Sequence, residues 1–306
     1  MNWVKIFAPA TVANIGPGFD VLGMAVQGLG DTIKARRTNK DVSIIEIISN
    51  TKIPKEINSN TASIAAIEIL KVLGNPGGLE LIIEKGLPSG SGLGSSAASA
   101  AAGAFAANIL YGEKLNNNQL ISAACNAEEV VSAKHADNTA AAILGGGVLV
   151  RSVTPLEVEK LGSISDLKLI IGTPKIEVLT KGARTILPQQ INLKDTVTAM
   201  ANTASVATAF LKNDYEVLIK SLKDVIVEPY RKKLIPGYDK IKTSVIAAGA
   251  DGLIISGSGP TICAFSNKDF EQCELIRKTM EAEFKMNGIK SKTIISEIDQ
   301  NGTRVL

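Results

Sequence analysis

The amino-acid sequence predicts an α+β fold made of two domains, and three observations support this prediction. The chain has 306 residues, 45% of them hydrophobic, which is enough to fill more than one core. Segments typical of strands and of helices are mixed without the strict alternation of a doubly wound parallel sheet. The arrangement of strand-like and helix-like segments also changes around Pro155. We therefore expect an N-terminal domain over residues 1–155 and a C-terminal domain over residues 156–306.

In the N-terminal half, strand-like segments come first and helices follow. Residues 42–49 are rich in isoleucine, which favours strands. Residues 59–73 carry apolar side chains at helical spacing, and Gly74 ends that pattern. The elements expected in this half are strands over residues 4–14, 42–49, 79–86 and 145–150, helices over residues 59–73 and 120–134, and an alanine-rich helix that begins near Ala97.

The C-terminal half is also expected to mix strands and helices. Residues 250–266 predict two strands around a glycine turn, because apolar runs flank the string GSG. The other elements expected there are strands over residues 167–174 and 291–298, and helices over residues 196–213, 215–226 and 270–286.

Composition argues against several classes of partner and location. The net charge is only +3, from 33 basic and 30 acidic residues, and aromatic residues make up 4%, so we expect no nucleic acid as a partner. The most apolar run, residues 97–111, is too short and too rich in alanine to span a bilayer, so we expect no membrane. The first residues lack the pattern of a secretory signal, which predicts a cytoplasmic protein. Cys125, Cys263 and Cys273 are expected to be reduced and buried.

Residues 86–102, GLPSGSGLGSSAASAAA, are unusual because eight of the first eleven are glycine or serine. A predicted strand leads into this loop and a predicted helix leaves it, which brings unpaired backbone N–H groups and the positive end of a helix dipole together. Glycine at positions 90, 92 and 94 lets an anion approach the backbone closely. The hydroxyls of Ser95 and Ser96 can cap the helix, bind phosphate oxygens or reach a phosphate-bound Mg²⁺.

Taken alone, the loop also fits a flexible turn that ends in a serine N-cap. It lacks the Lys-Ser or Lys-Thr pair of a Walker loop, and its glycine spacing differs from the dinucleotide-binding pattern. The string LPSGSGLGSSAA, however, resembles the ATP loop of the GHMP kinases. Two further blocks of that family occur in the expected order: PATVANIGPGFDVLGMAV at residues 9–26 resembles the first block, and GSGPTICAF at residues 257–265 resembles the third.

The resemblance covers nearly the whole chain and implies ATP as the phosphate donor. It also implies an N-terminal domain with the ATP loop and a C-terminal ferredoxin-like domain, with the active site in the cleft between them. Asn60 would lie near the adenine, although an N-cap is an equally good interpretation of this residue. The loop residues implied to bind ATP are Pro88, Ser89, Gly90, Ser91, Gly92, Leu93, Gly94, Ser95, Ser96, Ala97 and Ala98.

Four segments resemble the homoserine kinase branch of this family in particular. They are ANIGPGFDVLG in the first block, KHADNTAAAILGG at residues 134–146, TKGARTILP at residues 180–188 and EPYRKKLIPG at residues 228–237. The resemblance implies L-homoserine as the small-molecule acceptor, and a possible homodimer. Two arginines suit a substrate carboxylate, because a guanidinium donates two parallel hydrogen bonds. The implied substrate-binding residues are Asn14, Asp20, His135, Asn138, Thr180, Arg184 and Arg231.

The implied reaction is transfer of the ATP γ-phosphate to the γ-hydroxyl of homoserine. Its loose transition state needs positioning and charge stabilisation, which we expect from the loop amides, Ser95, Ser96 and Mg²⁺. A neutral amide cannot accept the hydroxyl proton, so we expect Asn138 to orient the hydroxyl. Ser96 and one carboxylate would hold the metal. Successive helical side chains point about 100° apart, so only one of the adjacent residues Glu128 and Glu129 should face the site, and we choose Glu128.

Two alternatives remain open at this point. The chain could be a GHMP kinase for another small alcohol, since a carboxylate is also present in mevalonate. It could also keep the fold and bind nucleotide without catalysing transfer. The complete set of loop, metal and substrate positions argues against the second alternative.

Overall fold

The structure is a computed structural model and describes residues 2–131 and 134–306. Its strands are β1 (Val4–Ala13), β2 (Leu22–Thr38), β3 (Ser43–Ile48), β4 (Gly78–Glu84), β5 (Gly147–Val153), β6 (Leu156–Gly162), β7 (Lys168–Pro174), β8 (Gly252–Ile255), β9 (Ile262–Ser266), β10 (Ser291–Ser296) and β11 (Arg304–Val305). Its helices are α1 (Thr61–Val72), α2 (Ser95–Leu110), α3 (Asn117–Val131), α4 (Asp137–Leu144), α5 (Thr180–Thr185), α6 (Leu193–Lys212), α7 (Tyr215–Ser221), α8 (Glu228–Arg231), α9 (Tyr238–Ala247) and α10 (Phe270–Met286).

The first sheet has seven strands within the described residues. Its order is β11-β1-β2-β4-β3, with β5 paired to β2 and β6 paired to β5. The pairing is antiparallel except between β3 and β4. The cross-strand row of Ile6, Ile33 and Ile83 is fully buried. Aliphatic rows of this kind fill the core between the sheet and the helices that cover it.

Small side chains let the helices over this sheet pack closely. Most alanines of α2 are fully buried, as in the segment Ala100–Ala102. Gly103 lies where an added Cβ would overlap the carbonyl oxygen of Ala62 in α1. The predicted alanine-rich helix is therefore confirmed, and close contact with α1 explains its small residues.

The second sheet has the ferredoxin-like arrangement that the resemblance implied. Its order is β10-β7-β9-β8, and all its pairs are antiparallel. Numbered along the chain within this sheet, the strands stand in the order 4-1-3-2. Helices α5 to α9 connect the first strand to the second, and α10 connects the third to the fourth.

The two halves of the molecule share one continuous apolar core. Ile170 and Ala264 pack with α9 and α10, whereas their neighbours Ile171 and Cys263 point to the opposite face and join the core of the first sheet. Strands β6 and β11 also belong to the first sheet, although they follow residue 155. The domain boundary at that residue remains a prediction.

Strand β2 was not among the predicted strands, and its glycines explain the difference. Gly28 has a φ of 74°, and Gly30 lies where a Cβ would overlap the carbonyl oxygen of Ala8 in β1. The register between β1 and β2 shifts between Pro9 and Ala10. The alternation of apolar and polar side chains is interrupted there, which removes the usual strand signal.

Helix boundaries differ from the prediction in two places. The helix expected over residues 215–226 ends at Ser221, because the carboxylate of Asp224 accepts N–H groups of residues 226–228 and starts α8. The helix expected over residues 120–134 is α3, and residues 132 and 133 lie outside the described part of the chain.

The three cysteines are free and buried, as predicted. Across the described residues, no helix has both the length and the apolarity needed to cross a membrane.

The space around two helical glycines predicts different effects of an alanine substitution on stability. Gly103→Ala should lower the free energy of unfolding by about 1–3 kcal/mol, because the new methyl group meets the α1 backbone. Gly182→Ala in α5 should leave stability unchanged or raise it by about 0.4–1 kcal/mol, because open space surrounds that position. Urea unfolding measures both variants. A Gly103→Ala protein as stable as the wild type would contradict the packing.

Candidate active site

The glycine-rich loop connects β4 to α2 and adopts a backbone that favours glycine. Gly90, Gly92 and Gly94 have φ values of 63°, 82° and 64°, all in the left-handed region. Gly94 is the N-cap residue of α2, and no described side chain caps this helix end. The first N–H groups of α2 are therefore available to an anion, together with the positive end of the helix dipole.

The loop is fastened to the turn of residues 256–261. The hydroxyl of Ser256 donates to the carbonyl oxygen of Gly92 at 2.6 Å, and the N–H of Thr261 donates to the carbonyl oxygen of Ser91 at 3.1 Å. A Cβ on Gly92 would come within 2.6 Å of the Ser256 carbonyl oxygen. Glycine at position 92 is therefore required by contact with this turn as well as by its φ angle.

A buried ion pair supports the loop from below. Lys85 at the end of β4 pairs with Asp31 of β2, and both side chains are almost completely buried. The Lys85 ammonium also donates to the Ser95 carbonyl oxygen and the Ser99 hydroxyl, each at 2.8 Å. The other Asp31 oxygen accepts the N–H groups of residues 86 and 87. Sequence reasoning missed this pair, because strand β2, which contains Asp31, was itself not predicted.

A cavity of about 110 Å³ lies beside the loop, among the ends of β1, α4 and α5 and the turn of residues 256–261. It brings together all seven predicted substrate residues and most of the predicted loop residues. The predicted residues that line it are Asn14, Asp20, Ser89, Gly90, Ser91, Gly92, Gly94, Ser95, Ser96, Glu128, His135, Asn138, Thr180, Arg184 and Arg231.

Five predicted nucleotide-binding residues lie outside this lining. Leu93 within the loop and Ala97 and Ala98 in α2 are buried, and Leu93 lines a second cavity. Pro88 lines a larger cavity of about 720 Å³ on the other side of the loop, to which Ser89 and Ser91 also contribute. The fifth residue is Asn60, whose side chain has hydrogen-bond partners of its own.

Asn60 serves as the N-cap of α1. Its Oδ1 accepts the N–H of Ala62 at 3.0 Å, and its Nδ2 donates to the carbonyl oxygen of Pro54 at 2.8 Å. The side chain is buried, and both of its polar atoms make these bonds. The structure thus supports the capping interpretation, and contact with the adenine remains a prediction.

Glu128 and Glu129 occupy opposite environments. Glu128 is 4% exposed and lines the cavity, where the hydroxyl of Ser96 donates to its Oε2 at 3.0 Å. Burial raises the pKa of Glu128 to about 6, and the bond from Ser96 only partly offsets this. Its Oε1 is buried and has no hydrogen-bond partner among the described residues. The Glu129 side chain is 58% exposed and lies 3.9 Å from Lys134.

The two arginines converge on the ring of Phe19. Their guanidinium carbons lie 5.0 Å (Arg184) and 5.1 Å (Arg231) from its centroid. The Nη2 of Arg184 donates to both carboxylate oxygens of Asp20, at 2.8 and 2.6 Å. Arg231 is buried and donates to the Gly257 carbonyl oxygen at 2.7 Å. Burial lowers the pKa of Arg231 to about 10, so this side chain stays protonated at neutral pH.

Asn14 and Asp20 lie in a strained loop after β1. Asn14 has a φ of 72° and Asp20 a φ of 59°, which non-glycine residues rarely adopt. The Asn14 side chain accepts the N–H of Asp20 at 3.2 Å and donates to the Gly257 carbonyl oxygen at 3.3 Å. The strained backbone therefore turns both side chains into the cavity and ties them to the turn of residues 256–261.

Asp137 lines the cavity as well, and sequence reasoning missed it. It is the third residue of the string HADN, from which we selected only His135 and Asn138. Its carboxylate is 2% exposed, lies 3.7 Å from Nδ1 of His135, and has its pKa raised by burial. With Asp20 and Glu128 it makes three carboxylates beside two guanidinium groups. A cavity of such mixed charge suits a small zwitterion next to a polyanion.

Comparisons with known proteins identify the relatives of this chain. The GHMP kinases N terminal domain family matches residues 60–146, and the GHMP kinases C terminal family matches residues 206–285. A homoserine kinase of Arabidopsis thaliana is 44% identical over 99% of this chain and 84% of its own length. One from Chlorobium phaeobacteroides is 37% identical over 100% of both chains. The crystal structure of homoserine kinase from Cytophaga hutchinsonii is 42% identical, with a TM-score of 0.94 over 100% of this chain and 98% of that one.

Burial of Glu128 predicts a pH-dependent cost to stability in the ligand-free protein. A carboxyl group whose pKa rises from 4.5 to about 6 on folding binds its proton more tightly in the folded state. Its cost is therefore absent below pH 4.5 and fully present above pH 6. Glu128→Gln should gain up to about 2 kcal/mol over the wild type between pH 4.5 and 7.5.

Chemical unfolding at several pH values, without Mg²⁺ or nucleotide, measures this difference. Glu129→Gln is the control for loss of one negative charge at the surface. A difference between wild type and Glu128→Gln that does not change with pH would contradict the burial of this carboxylate.

Proposed function

The chain belongs to the homoserine kinases of the GHMP kinase family, and on this basis we propose that it transfers the γ-phosphate of ATP to the γ-hydroxyl of L-homoserine. The products would be O-phospho-L-homoserine and ADP, and we propose a role in threonine biosynthesis. The single observation that supports this assignment best is the cavity beside the glycine-rich loop, which is lined by every substrate position of the family pattern.

We propose that the nucleotide spans both cavities. The loop amides and the N-terminus of α2 receive its phosphates, and the base and ribose occupy the larger cavity on the far side of the loop. The two cavities share Ser89 and Ser91, so one extended molecule can pass across the loop. The smaller cavity would receive the terminal phosphate and the acceptor.

The acceptor would be held by its two opposite charges. Its carboxylate would bind Arg184 and Arg231, and its ammonium group would bind Asp20 and Asp137. Arg184 has a buried Nε without a hydrogen-bond partner among the described residues, which leaves a donor for that carboxylate. With both ends fixed, the γ-hydroxyl points toward Asn138 and the phosphate loop. Its oxygen would bond to phosphorus as the phosphorus–oxygen bond to ADP breaks, and its proton would pass to an oxygen of the transferred phosphate.

The residues present fit a magnesium ion. Glu128 offers a buried carboxylate oxygen without a partner among the described residues, and Ser96 offers a hydroxyl beside it. Carboxylate and hydroxyl oxygens suit Mg²⁺, which completes its shell with phosphate oxygens and water. These two residues would hold the ion, and when bound it would neutralise charge on the β- and γ-phosphates.

Two features of the proposal rest on the sequence alone and remain predictions. One is a homodimer, which sedimentation or light scattering of the purified protein would detect. The other is the cytoplasmic location. Neither affects the assignment of residues to the reaction.

Substrate recognition by the arginines can be tested with charge-conserving variants. Arg184→Lys and Arg231→Lys keep the positive charge but lose the planar fork that binds a carboxylate through two hydrogen bonds. Each should raise KM for homoserine about tenfold or more and leave KM for ATP nearly unchanged. Arg151→Lys, on the exposed surface of β5, is the matched control. Initial rates of ADP release provide the measurement.

The same assay compares acceptors with the wild-type enzyme. Homoserine should be used far better than 3-aminopropan-1-ol, which lacks only the carboxylate, and better than mevalonate or galactose. Equal use of homoserine and the carboxylate-free alcohol would refute the substrate assignment, whereas ADP release with mevalonate alone would favour another member of the family.

The metal-binding role is tested by comparing the neighbouring glutamates. Glu128→Gln should lower kcat about a hundredfold or more, because a ligand of the ion that neutralises the transferring phosphate is lost. Glu129→Gln should stay close to the wild type. Titration with Mg²⁺ shows whether the defect of Glu128→Gln is partly rescued at high concentration. The opposite ranking of the two variants would shift the metal ligand by one residue.

A further inference from the structure

We propose that Thr11 is a positioning residue for phosphoryl transfer: its hydroxyl fixes the amide of Asn138 so that the NH₂ group faces the acceptor hydroxyl. This inference rests on the proposed function, because it concerns how the acceptor is aligned with the phosphate loop. Thr11 lies in the first sequence block, but it is neither among the site residues that the resemblance implies nor in the lining of the cavity.

Thr11 connects three parts of the site. It is a fully buried residue of β1, and its Oγ1 lies 2.6 Å from Oδ1 of Asn138 at the start of α4. Its backbone N–H donates to the carbonyl oxygen of Leu93 in the phosphate loop at 3.1 Å. One residue thus contacts the loop that would hold the phosphates and the side chain that would hold the acceptor.

The surroundings determine the orientation of the Asn138 amide. The Oδ1 of Asp137 accepts the backbone N–H of Asn138 at 2.9 Å, so this oxygen acts as an acceptor. The side-chain nitrogen of Asn138 lies 3.3 Å from the same oxygen and must therefore donate one N–H to it. The amide oxygen is then directed at Thr11, whose hydroxyl donates the bond between them.

This arrangement leaves one N–H of the Asn138 side chain for the cavity that Asn138 lines. An amide nitrogen has two donors, and Asp137 accepts only one of them. The remaining N–H can donate to the acceptor hydroxyl oxygen, which orients its lone pair toward phosphorus. The amide turned by 180° would present its oxygen instead and would hold the hydroxyl through its proton.

Gly94 permits this contact beside the loop. A Cβ at position 94 would overlap Oγ1 of Thr11 and come within 2.9 Å of Oδ1 of Asn138. The N-cap of α2 therefore packs directly against the pair formed by Thr11 and Asn138. The separation between a hydroxyl held by Asn138 and a phosphate held by the loop is set by this contact, and in-line transfer is sensitive to displacements of about 1 Å.

Three variants separate positioning from packing. Thr11→Val keeps the shape and removes the hydroxyl, Thr11→Ser keeps the hydroxyl, and Thr11→Ala replaces the valine variant where valine does not fold. We expect Thr11→Val to lower kcat about tenfold or more, with the Kd of a non-hydrolysable ATP analogue changed less than twofold. Thr11→Ser should retain kcat within about threefold of the wild type. Equal losses in the serine and valine variants would overturn the proposal.

A double variant tests whether Thr11 acts through Asn138. In the Asn138→Ala background, Thr11→Val should lower kcat less than twofold further, because the group that it positions is already absent. Full additivity of the two effects would show that Thr11 acts on something else.

One measurement does not depend on the substrate. The side-chain NH₂ signals of Asn138 in an amide ¹⁵N–¹H spectrum, assigned by their loss in Asn138→Ala, should shift in Thr11→Val and stay near their wild-type position in Thr11→Ser. Unchanged signals in the valine variant would overturn the proposal even if the enzyme phosphorylates homoserine. A shift with no turnover of homoserine would instead leave Thr11 in place and remove the proposed substrate.

Discussion

The contact between the phosphate loop and the turn of residues 256–261 is the constraint on which the rest of the site depends. Ser256 and Thr261 bind loop carbonyl oxygens, and Gly92 allows the two backbones to touch. The carbonyl oxygen of Gly257 in the same turn accepts hydrogen bonds from the side chains of Asn14 and Arg231. A short segment of the C-terminal half thereby fixes the loop that would hold the nucleotide and two side chains that would hold the acceptor. A rigid link of this kind is what in-line transfer requires, because the protein contributes mainly alignment.

The buried charges beneath the loop form an ion pair, whereas the buried carboxylates inside the cavity are not fully compensated. Asp31 and Lys85 are buried as a pair, and each has further hydrogen bonds, so their burial gives a stiff support for the loop. Within the cavity, burial raises the pKa of Glu128 to about 6 and also raises the pKa of Asp137. These groups cost stability in the ligand-free protein because their charged forms lack full compensation. The same lack of compensation leaves them ready for a cation or an ammonium group.

Sequence reasoning identified what depends on local pattern and missed what depends on distant contacts. The loop glycines could be derived because their backbone conformation follows from the local sequence, and helical direction predicted that only one of Glu128 and Glu129 faces the site. Thr11 could not be derived, since its partner Asn138 is 127 residues away and a threonine in a strand has no distinctive signal. Strand β2 was missed because its glycines serve close contacts with β1 and interrupt the alternation.

The ion pair between Asp20 and Arg184 explains how one cavity can distinguish among acceptors that share a carboxylate. Without ligand, each of the two residues neutralises the other, at 2.6 Å. An acceptor with only a carboxylate would compete with Asp20 for the charge of Arg184 and leave that aspartate less well compensated, which is costly at a partly buried site. An acceptor with only an ammonium group would likewise leave the positive charge of Arg184 less well compensated. A zwitterion replaces both partners at once, so we expect the pair itself to favour an amino acid over mevalonate, independently of how well either molecule fills the cavity.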